Sequence, residues 1–136
     1  MAETLEVLIQ VAERKVEDMQ RQLARTRDEL LRLADEMRKM EQEAAVAFVN
    51  AVAEDDVLAL QAAWSFQERM RREVSRLKDE ELVAKEREAV QRTQLQELFA
   101  VQKRYEMLLE KQKLAKRKER MKKAQNSLDE VAGRRR

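Results

Sequence analysis

The stretch Ala47-Phe48-Val49-Asn50-Ala51-Val52-Ala53-Glu54-Asp55-Asp56-Val57-Leu58-Ala59-Leu60-Gln61-Ala62-Ala63 decides the fold, because a heptad frame that enters it does not leave it. Upstream, apolar or small residues recur with alternating steps of four and three through Leu5, Ile9, Ala12, Val16, Met19, Leu23, Thr26, Leu30, Leu33, Met37, Met40, Ala44, Ala47 and Ala51. That period is the seam of an α-helical coiled coil. Carried onward, the frame lands on Glu54, Leu58, Gln61 and Ser65, which are mostly polar. A second frame, shifted by two residues, runs through Leu60, Ala63, Gln67, Met70, Val74 and Leu77, and later through Leu95, Leu98, Gln102, Tyr105 and Leu109. The break falls on Glu54, Asp55 and Asp56, whose carboxylates can cap a new helix and favour its positive end.

A fold-back at Asp55 and Asp56 pairs positions whose numbers sum to 110 or 111: Ala51 with Leu60, Met40 with Met70, Met37 with Val74, Leu33 with Leu77, Val16 with Leu95, Ala12 with Leu98, Leu5 with Tyr105. One register serves both seams. The expected fold is therefore all-α: a two-helix antiparallel coiled coil, with helix one over about 3–53, a turn over about 54–57 and helix two over about 58–132. The whole of 1–136 reads as one coiled-coil domain in which 106–136 overhang. One continuous helix dimerising in parallel would leave the frame shift without a cause, and ranks second. The middle of the seam is polar, with Glu81, Ala84, Glu88 and Gln91 opposite Leu30, Thr26, Leu23 and Met19. Two readings stand there: polar chains reaching past the seam to water, or a flexible zone with a bend or stutter. Pairs one turn apart, Glu17/Arg21, Asp28/Arg32, Asp35/Lys39, Glu68/Arg72, Glu81/Lys85 and Glu119/Lys123, are expected to solubilise the helices more than stabilise them.

Composition agrees with this thin architecture. With 41% charged residues, 4% aromatics, one Gly and no Pro among 136 residues, there is little to build a globular core and little to interrupt a helix. There is neither Cys nor His, so disulfide, zinc and imidazole chemistry are excluded. Ser65, Ser75 and Ser127 have no histidine to activate them, and no glycine loop cradles a phosphate. The sequence reads as a non-enzyme with no catalytic residue, cofactor or metal. The longest nearly apolar stretch, Ala44 to Ala53, falls well short of the roughly 20 residues of a membrane helix. Glu3 and Glu6 precede any basic residue, the wrong charge for a secretory signal, so a soluble cytoplasmic protein is expected.

Two surfaces are candidates for contact. Around the turn, Val46, Phe48, Val49, Val52, Val57, Leu58, Trp64 and Phe66 exceed what a two-helix seam requires. They either wrap over one another to close the hairpin end or form an exposed patch with Trp64 as anchor. In the overhang, Met107, Leu114, Met121 and Leu128 recur every seven residues, with Ala124 and Val131 adding to the stripe. Lys111, Lys113, Lys116, Arg117, Lys118, Arg120, Lys122 and Lys123 surround it. Residues 102–136 hold thirteen Lys/Arg and five Asp/Glu, a charge of +8, which leaves −6 on the remainder of a chain of net charge +2. An isolated helix of this kind is marginal in water, so a partner protein that buries the stripe is expected; self-association or a solvated, frayed tail is the plainer reading. Nucleic acid and an anionic membrane rank lower, since no aromatics interleave the basic residues and the apolar stripe is narrow.

The opening Leu5, Leu8 and following amphipathic helix, the Trp64, Phe66, Met70, Val74 stretch, and the ending Gln125, Leu128, Asp129, Glu130, Ala132 before basic residues resemble the FliJ family of flagellar export proteins. Those are relatives of the stalk proteins of virulence type III secretion, and the resemblance covers nearly the whole chain. It implies a two-helix coil similar to the central stalk of rotary ATPases. Such a coil inserts into the hexameric export ATPase, promotes its assembly and activity, contacts the membrane-embedded export gate and binds export chaperones. The resemblance thus implies a place in flagellum biogenesis and motility, in the cytoplasm and peripheral to the inner membrane through partners. It assigns ring contact to the terminal end, with Met107, Leu114, Lys116, Arg117, Arg120, Met121, Lys123 and Leu128. Gate contact is assigned to Phe66 and Met70, joined by the exposed-anchor candidate Trp64, although Glu73 and Leu77 depart from the small and histidine residues of that family face. The alternatives are a virulence-secretion or other rotary-ATPase stalk, a generic coiled-coil scaffold, or a basic nucleic-acid accessory protein.

Overall fold

A computed structural model describes residues 2–135. It contains two α-helices, α1 (Ala2–Glu54) and α2 (Val57–Arg134), of 53 and 78 residues, and no strand among the described residues. The helices pack against each other as an antiparallel hairpin whose second arm is the longer. The boundaries lie within two residues of those read from the heptads.

The turn divides its work between two aspartates. Asp55 takes a left-handed conformation, φ 50°, and its N–H donates to the Val52 carbonyl at 3.3 Å, closing the last turn of α1 without a glycine. Asp56 opens α2: its carboxylate accepts from the Leu58 N–H at 3.1 Å and its carbonyl from the Leu60 N–H at 3.0 Å. Asp56 is thus the N-cap, and Glu54, one of the three carboxylates grouped at the phase break, ends α1 instead.

Packing along the helices forms two compact units, one of Met19–Thr93 and one of Met1–Asp18 with Gln94–Arg136. In the first, the turn unit, every seam position from Met19 to Ala51 and from Leu60 to Gln91 is buried or half-buried. Leu33, Met37, Val74 and Leu77 form its apolar cluster, with Met40 against them. Leu33 and Ala84 have no exposed surface at all. A leucine so placed contributes about 1.5–3 kcal/mol by burial alone.

The polar middle of the seam is a built layer. The residue sum sets Thr26 opposite Ala84, yet its hydrogen bond runs one heptad further, to Gln91: Thr26 Oγ1 lies 2.7 Å from Gln91 Oε1 and 3.1 Å from the Gln22 carbonyl. A hydroxyl has one proton to give, so both contacts hold together when the Gln91 amide turns over and Nε2 donates back to Oγ1. Thr26 and Gln91 are the buried polar residues among those described. Beside them, Arg87 pairs with Glu29 across the helices at 2.9 Å and Arg27 reaches Glu88 at 3.8 Å. Half-buried Glu81 and Glu88 turn outward to Lys85 at 3.2 Å and Arg92 at 2.8 Å.

Of the surface pairs expected along one helix, Asp35/Lys39 and Glu81/Lys85 form. Arg32 pairs with Glu36 rather than Asp28, and Glu68 with Arg71 rather than Arg72, because steps of three and four are both within reach on a helix. Among the described residues, two surface groups titrate away from their ordinary values. Hydrogen bonds from Arg38 and Lys39 hold Asp35 below the usual 3.8, and Glu73, with Glu80, raises Arg76 above its usual value.

In the second, terminal unit, Leu5, Ala12 and Val16 of α1 are buried and Ile9 half-buried, while Leu95, Leu98, Gln102, Tyr105, Leu109 and Gln112 of α2 are half-buried. Leu5 shares with Leu108 and Gln112 an open groove of about 430 Å³, also lined by Thr4, Lys111 and Ala115. Beyond Gln112 every described residue is exposed, while the chain stays helical to Arg134. No helix among the described residues is long and apolar enough to cross a membrane.

Candidate partner-binding surfaces

The apolar residues flanking the turn stay exposed. Val46, Val49, Val52, Val57 and Leu58 each show more than half their surface to solvent, Trp64 shows 59%, and Phe48 somewhat less. The chain reverses in two residues, Asp55 and Asp56, leaving no length of loop to fold back over these side chains. These side chains therefore do not cover one another to close the hairpin end, and Phe66 alone of the group is half-buried.

The three residues grouped as a gate contact have separate surroundings. Phe66 is half-buried, carries the Arg69 guanidinium 5.8 Å over its ring and borders a groove of about 450 Å³ with Lys39, Val46, Ala47 and Asn50. Met70 belongs to the seam and lines a groove of about 350 Å³ with Glu41, Ala44, Arg71, Val74 and Lys78. Trp64, two residues before Phe66, points about 200° away from it around the helix, into solvent. The structure brings Phe66 and Met70 onto neighbouring turns and leaves Trp64 on the other side of α2.

On the tail, Met107, Leu114, Met121, Leu128 and Val131 are all exposed, Met121 at 68%. Their phase explains why. Met107 lies about 200° round the helix from Tyr105, and Leu114 about 200° from Gln112, so the stripe runs along the side of α2 that faces away from the α1 seam. It is therefore a second apolar face rather than a continuation of the first that has lost its partner. Arg117 falls on this face and Arg120 on its flank, whereas Lys116 and Lys123, about two and about four turns beyond Leu109 in the phase of the seam, fall opposite. Among the described residues, none of the eight Lys and Arg side chains from Lys111 to Lys123 forms an ion pair, and Glu119 is the single acid among them. The cations are free to meet an acidic surface.

No group of three or more His, Cys, Asp or Glu among the described residues could hold a metal ion. Compared with known protein families, curated proteins and solved structures, the chain has no match.

Proposed function

We propose that the chain is a non-enzymatic stalk of a type III protein export apparatus, the flagellar one in the first instance. Its tail enters the hexameric ring of the export ATPase and favours the assembled, turnover-competent state by binding it preferentially. The turn patch meets the cytoplasmic part of the export gate, and export chaperones dock on the same hairpin, so the protein works in the cytoplasm at the inner membrane through these partners. One observation carries the reading: α2 extends beyond Gln112 as an exposed helix with an apolar stripe, its cations unpaired, on a hairpin otherwise closed by its own seam. A hairpin with one longer arm suits a part that enters a ring while its other end stays outside.

The test is the ATPase rate and hexamer yield of an export ATPase with and without the protein. Stimulation of either supports the stalk; no change in both refutes it. Which ATPase co-purifies separates a flagellar stalk from a virulence-secretion stalk or a stalk of another rotary ATPase, and a generic scaffold would stimulate none of them. A nucleic-acid accessory role would instead show as DNA or RNA affinity that falls steeply with salt.

A further inference from the structure

The exposed face of the tail has the internal order of a coiled-coil seam. Leu114, Arg117, Met121, Ala124, Leu128 and Val131 follow steps of three and four, the a and d positions of nearly three heptads. All six are exposed, on a segment that is helical throughout. The residues beside such a seam, at e and g, choose the partner. From 111 to 134 these are Lys111, Lys113, Lys118, Arg120, Gln125, Ser127, Ala132 and Arg134: five basic and none acidic.

The chain supplies its own precedent for what such a face takes. Along the internal seam, the e and g positions of α2 from Trp64 to Leu108 are mainly basic, five (Arg71, Lys78, Lys85, Arg87, Arg92) against three acidic. The helix that occupies that seam, α1, is flanked in the opposite sense, with six acidic residues and only Lys15 and Arg27 basic. Glu29 and Arg87, both at g, meet across it at 2.9 Å. On the outward face the basic bias is complete, so its complement must be more acidic still.

We infer that residues 114–131 form one strand of a heterotypic coiled coil whose other strand is an acidic amphipathic helix of a different protein. A second copy of this chain is excluded as occupant, since tail against tail would set five cations beside five. Both flanks carry the same sign, so the complementarity holds for a parallel or an antiparallel partner. Arg117 sits within the seam at a d position, where a single charged residue specifies register, and it calls for a carboxylate opposite. The inference deepens the stalk reading by naming the chemistry of the surface the tail meets, and it rests on that reading in taking the tail as the docking end.

The experiment uses the full chain and two labelled synthetic helices of about four heptads with leucine at a and d, one with glutamate and one with lysine at every e and g position. Fluorescence anisotropy at about 0.05 M and about 0.5 M salt reads the binding, and sedimentation reads the mass of the complex. The glutamate helix is expected to bind one to one, at least about tenfold more tightly than the lysine helix, by the sum of several exposed pairs. The K111E/K113E/K118E/R120E variant reverses the preference. The L114Q/M121Q/L128Q variant keeps every charge and loses at least about tenfold in affinity for the glutamate helix. Equal binding of the two helices, undiminished binding by the glutamine variant, or a chain that sediments as a dimer through its tail would each overturn the inference. An ATPase that is stimulated while the glutamate helix goes unbound removes the helix partner and leaves the stalk; capture of that helix with no ATPase effect does the reverse.

Discussion

The Thr26–Gln91 layer makes the sharpest statement about what holds the hairpin in register. Replacing Thr26 by valine keeps the shape at a position only 3% exposed, but strips Gln91, itself 9% exposed, of the hydroxyl 2.7 Å away. A buried amide left without a partner costs about 1–3 kcal/mol, and the lower half of that range applies because the glutamine can still swing its amide toward water. Replacing Gln91 by leucine is different. Thr26 keeps the Gln22 carbonyl at 3.1 Å as a partner for its proton, and the leucine adds apolar area to the seam, so the change is expected to be neutral or to stabilise by up to about 1 kcal/mol. In the double variant neither polar group remains to be satisfied, and T26V should cost nothing once Q91L is present. Urea unfolding followed by helical circular dichroism gives the four corners of the cycle, with a coupling of roughly 1 kcal/mol expected between the sites. If Q91L destabilises as much as T26V, or the double variant is no more stable than T26V alone, the layer is not a mutually satisfied pair and the account of the seam's centre fails.

Other perturbations follow from the same geometry. At the turn, Asp55→Gly should stabilise by up to about 1 kcal/mol, because glycine adopts φ near 50° without a Cβ penalty, and Asp55→Val should destabilise; urea midpoints decide it. Asp56→Ala removes the cap on Leu58 and should cost about 1 kcal/mol, and a null effect there would mean the 3.1 Å contact does not hold α2's first turn. Asp35 should titrate below 3.8 by carboxyl NMR. A depressed folded value means that its contribution is fully present above the unfolded value and fades as pH falls through its own lower midpoint, so Asp35→Asn should change stability at pH 7 and leave it unchanged well below that midpoint. On the tail, K118E/R120E should weaken partner binding more than K116E/K123E, since the second pair faces away from the stripe; equal losses would mean that charge alone, without a face, carries the contact.

The hairpin was legible because a coiled coil writes its packing directly into sequence spacing. Each of the fourteen positions named from Leu5 to Ala51 is buried or half-buried, and so is each from Leu60 to Leu77 and from Leu95 to Leu109. The turn was legible from the frame shift, though not which aspartate ends one helix and which begins the next, since that depends on φ at Asp55. The partner of Thr26 was not legible from the register sum, because a coiled-coil knob sits in a hole of four residues on the facing helix, and the choice between Ala84 and Gln91, a heptad apart, is made by hydrogen bonding. Composition could not say whether the valines near the turn cover one another; only the two-residue length of the connection decides that. The grouping of Trp64 with Phe66 and Met70 came from adjacency in sequence, and 200° of helix separates what two residues join.

The two seams of α2 differ in a way that bears on what each is for. A seam that closes within one chain gains its specificity from connection, since a two-residue turn already brings α1 beside α2, and its flanks can tolerate both signs: Glu29 pairs with Arg87, and Arg76 is spent on Glu73 and Glu80 of its own helix. An outward seam has no such help. It must reject other copies of itself and still accept one partner from solution, and charge of a single sign along both flanks does the first by repulsion and the second by attraction. Mixed flanks on residues 111–134 would have served stability of an isolated helix better, through pairs one turn apart. Among the described residues, the segment from Lys111 to Lys123 instead carries eight cations with Glu119 as its only acid, and none of the eight is paired. Local helix stability has been given up there in favour of selectivity, which is the expected mark of a surface that is completed by another molecule.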